Sequence, residues 1–484
     1  MLVVDLRLTS SAQLLNAIRT VAARPRVSRF EQAGKSPGTS RILLDRSLLQ
    51  SGNATGDINA ALLFTPGLTV TPTSSGALDI SAFGLGAEQT TNTLDGLAFE
   101  GSLLPRDGVD VTALLSSYDP RSEIGGVQVN RTIASGGDLT ARSIHATGSL
   151  PTFGWNSETP YQLSSSPRQF VASGSASGPV IPGRSYYATA LQASVSVHPV
   201  PSLETANASQ FQALGVNADS VQRVLEAASL LGIPLTTGLR PLTASQARVS
   251  NLTRIDFTPT RDRSLLDADD DVFYVVIGGG TESNQRQAMR PLATASRAIA
   301  SSRSEGEFLA HYSTYRVLGA LSDTKLTVSG RQDRTRPYET LPTATVSMPP
   351  AIPSGTGAVS SLTLGGLAVR SVETNRTAEL THELSWKTFD QRHRFGVFMD
   401  ARASQSRQYG SADVVAFDFP SPAAFAQGQP DAYTRTVQRS AYDGRLYHAA
   451  LGLGDVFHSS AYPGPRTRQT RSSRSPPAVC RLKS

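Results

Sequence analysis

Residues 378–403, AELTHELSWKTFDQRHRFGVFMDARA, decide the fold class because two segments of this stretch alternate with a period of two. In the first segment every second residue belongs to one predominantly apolar face: Ala378, Leu380, His382, Leu384 and Trp386. The residues between them form a polar face: Thr377, Glu379, Thr381, Glu383 and Lys387. The second segment repeats this pattern, with Phe395, Val397, Met399, Ala401 and Ala403 on the apolar face and Arg394, Asp400, Arg402 and Ser404 on the other. Such strands occur in membrane barrels, where they separate lipid from a lumen, and in half-buried soluble sheets.

The composition of the whole chain favours a mainly β fold. Of the 484 residues, 17% are charged, which is below the ~25% of ordinary soluble domains. Glycine and proline are abundant, with 40 and 29 residues, as expected for many strands joined by turns. The alternation recurs in YYATALQASVSVH (186–198) and KLTVSGR (325–331).

The connections predicted between these strands are of two lengths. GPVIPGR (178–184) is predicted as a short turn, and a long insertion contains a helix from Asp219 to about Leu231. Further long polar insertions are predicted over 331–357 and 406–440, and loops of this length are usually functional. Short turns on one side and long loops on the other are typical of an outer-membrane barrel.

Charge and ligand-type residues exclude several classes of protein. The net charge is +6, but 41 arginines and 4 lysines are scattered along the chain, so no nucleic-acid partner is predicted. The single cysteine, Cys480, allows no internal disulfide, and the seven histidines form no zinc ligand set, so neither a metal nor a cofactor is predicted. No run of ~18 apolar residues predicts a transmembrane helix, which leaves a transmembrane β-barrel open.

The first third of the chain has the pattern of a small α+β domain over residues 41–150. A short helix beginning near Asp57 is predicted to end at Pro66-Gly67. LDISAFGLG (78–86) is predicted to pair as a strand with TTNTLDGLAF (90–99), in which Asp95-Gly96 has the composition of a hairpin turn. The glycine pair Gly125-Gly126 precedes a predicted strand over 127–132. These features indicate a structural and not a catalytic role for Asp95.

Five motifs in this region occur in an order and spacing that resemble a known family. They are GDINAALLFTPGLTV (56–70), ISAFGLGAEQTTNTLDGL (80–97), LPRDG (104–108), SSYDP (116–120) and IGGVQVNRTIASGG (124–137). The series is similar to the plug domain of TonB-dependent outer-membrane receptors, in the subgroup that often carries an N-terminal carboxypeptidase-regulatory-like domain. Many plugs have an arginine where this chain has Phe83. The resemblance implies structural roles for Pro66, Gly67, Gly84, Gly86, Asp95, Gly96, Gly125 and Gly126.

The resemblance also implies an architecture and a function. Residues 1–40 are expected to form a linker, 41–150 the plug, 151–458 a partial antiparallel transmembrane β-barrel, and 459–484 a disordered or frameshifted basic tail. The expected function is energy-coupled uptake of a large or scarce substrate through the cell outer membrane. The expected partners are outer-membrane lipid, the TonB-ExbB-ExbD complex, and an oligosaccharide, siderophore or peptide. A TonB-binding segment is expected within residues 1–45.

The length after the plug suggests a truncated chain. A barrel of ~22 strands at ~10 residues each, with its loops, needs well over 400 residues, whereas roughly 320 follow the plug here. We therefore expect a fragment of a longer receptor. The alternative at this point is a soluble or surface β-rich binding or adhesion protein.

An enzyme is not expected from this sequence. Ser116, Asp110, Asp119 and His145 have no spacing that implies a catalytic triad, and no GxSxG occurs. The acidic run LDADDDVF (266–273) lacks the glycine and glutamate of an EF-hand loop, so a solvated loop is expected there.

Overall fold

Two sheets form the body of the molecule, a small one near the N-terminus and a large one after it. The computed structural model describes residues 40–44, 62, 67–72, 78–82, 90–99, 101–116, 128–149, 168–199, 202–203, 206–233, 243–257, 271–287, 292–317, 320–349, 360–389, 392–457 and 479–482. No helix in this part of the chain is both long enough and apolar enough to cross a membrane.

The small sheet has five strands in the order β1-β6-β7-β4-β5. Their bounds are β1 Ser40–Leu44, β4 Thr91–Leu94, β5 Leu97–Ala98, β6 Val109–Ser116 and β7 Gln128–Ile133. β4 pairs with β7 in parallel, and a 3₁₀ turn at Arg106–Gly108 leads into β6. A separate hairpin consists of β2 Leu68–Pro72 and β3 Leu78–Ala82.

The expected pairing of 78–86 with 90–99 is wrong. β3 pairs with β2, whereas β4 lies between β5 and β7. The tight turn at Asp95-Gly96 folds β5 onto one edge of β4, and β7 takes the other edge, so no edge remains for β3. The predicted helix near Asp57 lies outside the described residues.

The large sheet contains ten long antiparallel strands, each paired with the preceding long strand. They are β8 Ala141–Ser149, β9 Arg168–Ile181, β10 Ser185–Pro199, β11 Thr243–Phe257, β12 Val272–Gln287, β13 Ile299–Val317, β14 Ala320–Pro337, β17 Val369–Lys387, β18 His393–Phe419 and β19 Ala432–Phe457. The sheet does not close on itself in the described residues. The predicted fold class, mainly β with a small α+β plug domain followed by an incomplete antiparallel transmembrane β-barrel, is confirmed in its β content and in the open antiparallel sheet.

The two edges of this sheet carry connections of different length. At one edge, three connections are short, residues 182–184, 318–319 and 388–392, whereas the β11–β12 connection there, 258–271, is longer. At the other edge the connections are long, and the predicted helix is present there as Ala218–Leu230. We call these the short-turn edge and the long-loop edge. Both run across the ends of the strands and are distinct from the edge strands β8 and β19.

Two of the predicted loops are in fact strand extensions. Residues 406–419 continue β18, residues 432–440 begin β19, and residues 331–337 complete β14. Period-two patterning cannot reveal these ends, because 331–337 is polar on both faces, whereas Val414, Val415, Ala416 and Phe417 are consecutive apolar residues. Only 420–431 separates β18 from β19.

The long connections fold together into a unit that we call the loop cap. It contains α1 Ala208–Ala213, α2 Ala218–Leu230, α3 Pro422–Ala426, β15 Thr343–Met348 and β16 Ser360–Gly365. β15 pairs antiparallel with β16 and parallel with the end of β18. A hydrophobic core of its own joins these segments, including Phe211, Val224, Val346, Leu362 and Phe425.

The predicted basic tail contains one described strand, β20 Val479–Leu482, which pairs with Ala449–Gly452 of β19. The outer edge of β19 offers unpaired backbone groups, and such an edge attracts any β-prone segment. The other residues of 459–484 lie outside the described part of the chain.

Candidate functional site

The candidate site is the contact between the small sheet and one face of the large sheet. A single hydrophobic core joins them, in which Leu94, Leu97 and Val129 of the small sheet pack with Tyr274 and Leu309 of the large one. We call the face of the large sheet that makes this contact the inner face and the opposite one the outer face. Because side chains alternate along a strand, neighbouring positions project to opposite faces.

The Asp95-Gly96 turn is a point of attachment. Both residues have positive φ, 49° and 85°, as a two-residue hairpin turn requires. The Asp95 carboxylate accepts hydrogen bonds from the Ile133 backbone N–H (3.0 Å) and from the Tyr274 hydroxyl (2.9 Å). The Asp95 carbonyl accepts from Nζ of Lys325 (2.7 Å). The turn is therefore structural, and it also connects the small sheet to β12 and β14.

Arg254 supports this attachment from β11. Its guanidinium lies 3.7 Å from the centre of the Tyr274 ring, a cation–π contact. It donates to the Ile133 carbonyl (3.2 Å) and forms an ion pair with Asp256 (2.6 Å). The stacking orients the Tyr274 ring, whose hydroxyl reaches Asp95.

Glu305 on β13 receives the loop that follows β5. Its Oε2 atom accepts hydrogen bonds from the backbone N–H groups of Ser102 (2.8 Å) and Leu103 (3.0 Å). Nη1 of Arg303 donates to the Ser102 hydroxyl (3.0 Å). Two main-chain N–H groups of this loop therefore bind an anion, and the anion is a side-chain carboxylate of the large sheet.

Two further inner-face side chains use the same chemistry. Glu379 of β17 accepts from the Ala98 N–H (2.8 Å), and Gln192 of β10 accepts from the Arg106 N–H (3.1 Å). Buried backbone N–H groups that lie outside a β-ladder need such hydrogen-bond acceptors. These contacts hold the small sheet by side-chain hydrogen bonds from separate strands, without a shared β-ladder.

Close approach at this contact depends on one glycine in particular. A Cβ atom on Gly280 would lie 2.9 Å from Cβ of Leu103 and 2.7 Å from the Val249 carbonyl oxygen. Nearby, Oε2 of Glu307 is buried without a hydrogen-bond partner among the described residues, while Thr327 donates to Oε1 (3.4 Å). A cavity of about 20 Å³ lies beside Glu307, between Leu103 and Ser329, and a space of this size holds about one water.

The predicted site residues fall into two groups. Gly67 has φ of 83° immediately before β2, and Asp95 and Gly96 form the turn described above. The other members lie outside the described residues: Pro66, Gly84, Gly86, Gly125 and Gly126. Within the described residues no cluster of His, Cys, Asp or Glu could hold a metal ion.

The sequence interpretation missed the inner-face partners of the plug. Gln192, Glu305, Lys325 and Glu379 were not singled out. One signal was present, because Lys325 is one of only four lysines and sits in an alternating segment. The glutamates were visible only as members of a polar face.

Comparisons with known proteins agree with this geometry at the level of the fold. No protein-family model matches the chain, and no curated protein sequence matches it. Solved structures do match. The outer membrane transporter YddB from Escherichia coli superposes with a TM-score of 0.53 at 11% identity, covering 87% of this chain and 54% of that one.

Two receptors give similar values. The siderophore receptor PirA from Acinetobacter baumannii has a TM-score of 0.50 at 12% identity, covering 90% of this chain and 61% of the receptor. The ferripyoverdine receptor of the outer membrane of Pseudomonas aeruginosa has a TM-score of 0.51 at 11% identity, with coverage of 87% and 49%. The chain thus has the fold of plugged outer-membrane receptors and spans about half to three-fifths of their length. The resemblance to TonB-dependent receptors is confirmed for the fold.

Proposed function

We propose that this chain is part of a plugged outer-membrane receptor that takes up a scarce or large substrate with energy from TonB-ExbB-ExbD. The observation that carries the proposal is the arrangement of the two faces of one sheet. The inner face holds a folded plug through separate side-chain hydrogen bonds, and the outer face presents exposed apolar residues such as Ile277, Val328 and Leu453. A soluble protein seldom exposes an apolar surface of that extent.

The same arrangement suggests how transport would work. A plug attached by hydrogen bonds from several strands can shift when a periplasmic partner pulls on the segment before it. TonB would add a strand to that segment, which is recognition through backbone pairing. The segment is expected within residues 1–45, of which the structure describes only β1.

The open edges of the sheet have a further implication within this proposal. In lipid, unpaired backbone groups on β8 and β19 would cost several kcal/mol each, so additional strands must close the barrel. We therefore infer that the chain is a fragment of a longer receptor. DNA sequence on both sides of the gene, read in every frame, should reveal further alternating strands, and their absence would contradict the inference.

The test of the proposed location is fractionation. The full gene product is expressed in Escherichia coli with a secretion signal, and its outer-membrane fraction is extracted with and without detergent. We expect recovery only with detergent. Full extraction in buffer alone would instead support the soluble binding or adhesion protein.

Energy coupling is tested separately in cells that carry the full gene. Uptake of ferric siderophores, oligosaccharides and peptides is compared in strains with and without TonB. We expect one class to accumulate only when TonB is present. Equal uptake in both strains would mean passive diffusion and would overturn this part of the proposal.

A further inference from the structure

A groove of about 720 Å³ lies on the outer face of β12 to β14 and β17 to β19. Two neighbouring cross-strand rows form it. The first row is apolar and consists of Ile277, Phe308, Val328, Ala378, Ala403 and Tyr447. The second lies two residues nearer the long-loop edge on each strand. It consists of Gly279, Gly306, Gly330, Arg376, Gln405 and Arg445.

The orientation of the groove follows from the alternation. Glu305 contacts the plug, so Gly306 and Phe308 face away from it. On β17, Glu379 contacts the plug, which places Arg376 and Ala378 on the outer face. The solvent exposure of the apolar row agrees with this orientation, since 39% of Phe308 and 59% of Tyr447 are accessible.

Glycines leave one half of the second row without side chains above the sheet. A Cβ atom on Gly306 would meet nothing within 4 Å, and one on Gly330 would only touch the Asn375 carbonyl at 4.0 Å. The other half rises into the side chains of Arg376 and Arg445. The groove therefore has an apolar wall, an open floor and a cationic end.

The cationic end has more positive than negative charge. Asp443, the nearest outward acid, already accepts from Arg407 (3.0 Å) and Gln405 (2.9 Å). Asp413 is likewise paired, with Arg435 (3.0 Å). Between this row and the long-loop edge, the described outer face of β14, β17, β18 and β19 carries further exposed arginines and no other acid: Arg334, Arg336, Arg370 and Arg439.

The position of the arginines along the strands matches a headgroup level. The rings of Trp386 and Phe395 lie 5.8 Å apart at the short-turn edge, where an aromatic girdle of a membrane barrel would be. Arg376 lies ten residues from Trp386 along β17. At ~3.3 Å per residue and a tilt of ~40°, that separation is about 25 Å, the height of the lipid-facing band.

We propose that this groove binds one phosphorylated, acylated lipid of the outer leaflet. Arg376 and Arg445 hold the phosphate, since guanidinium groups bind phosphate oxygens in a bidentate manner. An acyl chain lies along Phe308 and Val328 and fills the space above Gly306. The inference rests on the proposed location in the outer membrane.

Lipid binding is measured on the full gene product in uncharged detergent micelles, with diphosphoryl lipid A as the probe and native mass spectrometry as the readout. We expect one lipid in this groove and at least tenfold weaker binding by R376Q/R445Q. The matched control R435Q/R439Q removes the same charge at positions about 20 Å (Arg439) and about 33 Å (Arg435) from Arg445 along β19, and should bind within twofold of wild type. Equal binding by wild type and R376Q/R445Q would overturn the proposal.

Two further comparisons separate the contributions of charge and shape. Gly306→Leu fills the groove without changing charge and should weaken binding about tenfold. Lipid A without its phosphates should bind at least tenfold more weakly, and inorganic pyrophosphate at the same concentration should not displace the intact lipid. Full binding by the dephosphorylated lipid, or full displacement by pyrophosphate, would each contradict a site for a phosphorylated lipid.

Insertion of the full gene product, which supplies the strands that close the barrel, into phosphatidylcholine vesicles distinguishes the two proposals. If wild type and all variants insert but lipid A does not bind, the groove assignment is wrong and the proposed function stands. If the wild-type full gene product does not insert, both proposals fail.

Discussion

The inner and outer faces of the same strands follow different physical rules. On the inner face, Glu305, Lys325 and Glu379 each meet a particular plug atom within 2.7–3.0 Å. On the outer face, one or three positions away, Phe308, Val328 and Leu380 are exposed and meet no such partner. In the proposed membrane location, lipid accommodates any apolar side chain, whereas a hydrogen bond requires one donor in one place. Outer positions should therefore tolerate apolar exchange, and inner positions should not.

The largest expected effect is on the outer face. In the full gene product, Leu380→Arg should make folding into a bilayer less favourable by about 2–4 kcal/mol, because Leu380 lies near the middle of the apolar band, six residues from Trp386 and four from Arg376. Val397→Arg should destabilise folding into the bilayer less, since Val397 lies nearer the short-turn edge, where the aromatic rings are. Urea titrations in phosphatidylcholine vesicles, followed by tryptophan fluorescence, measure both. If Asp400→Arg proved more damaging than either, the assignment of faces would be reversed.

The second effect is on the inner face. Glu305→Ala leaves the N–H groups of Ser102 and Leu103 without their acceptor, and such bonds to a charged group are worth about 1.5–3 kcal/mol. Hydrogen exchange at these two amides should accelerate by at least tenfold. Ser304→Ala, the adjacent outward position, should leave exchange unchanged. Unchanged exchange in Glu305→Ala would mean that this carboxylate does not hold the plug.

The third comparison uses the same substitution on both faces. Gly280→Ala forces a Cβ against Leu103 and the Val249 carbonyl, and overpacking of this kind costs about 1–3 kcal/mol. Gly306→Ala projects into open space and should change stability by less than about 0.5 kcal/mol. Thermal unfolding in detergent gives both values. Equal losses would show that the faces do not differ in packing.

The smallest expected effect on stability comes from removing one hydroxyl oxygen on each face. Tyr274→Phe removes the hydroxyl that donates to Asp95 and should cost about 1 kcal/mol, with the stacking on Arg254 retained. Tyr312→Phe makes the same change on the outer face and should be neutral. Protease cleavage of the plug in detergent reports the difference. A larger effect at Tyr312 than at Tyr274 would contradict the comparison.

The sequence predicted the parts of the fold that repeat. Alternation located the outer face of β17 and β18, and the Asp95-Gly96 dipeptide located a turn, because both signals are local. It failed where the apolar and polar faces no longer alternate, so the end of β18 and the beginning of β19 were predicted as loops. It also failed for β3, whose partner depends on which edge of β4 is already occupied.

The candidate site was less predictable for a related reason. Glu305 and Glu379 lie far along the chain from Ser102 and Ala98, and nothing in a period-two pattern tells one inward acid from another. The partner of an inner-face residue is set by where the small sheet packs, which is a property of the folded structure.

The loop cap places a constraint on how the chain folds. Its core joins Phe211, Val346 and Phe425, which are more than 200 residues apart at the extremes, so these contacts can form only after the strands between them have paired. The cap is therefore a late event in assembly. Its formation would report that β10 to β18 are already in register, and a folding intermediate without it would still have all of its hairpins.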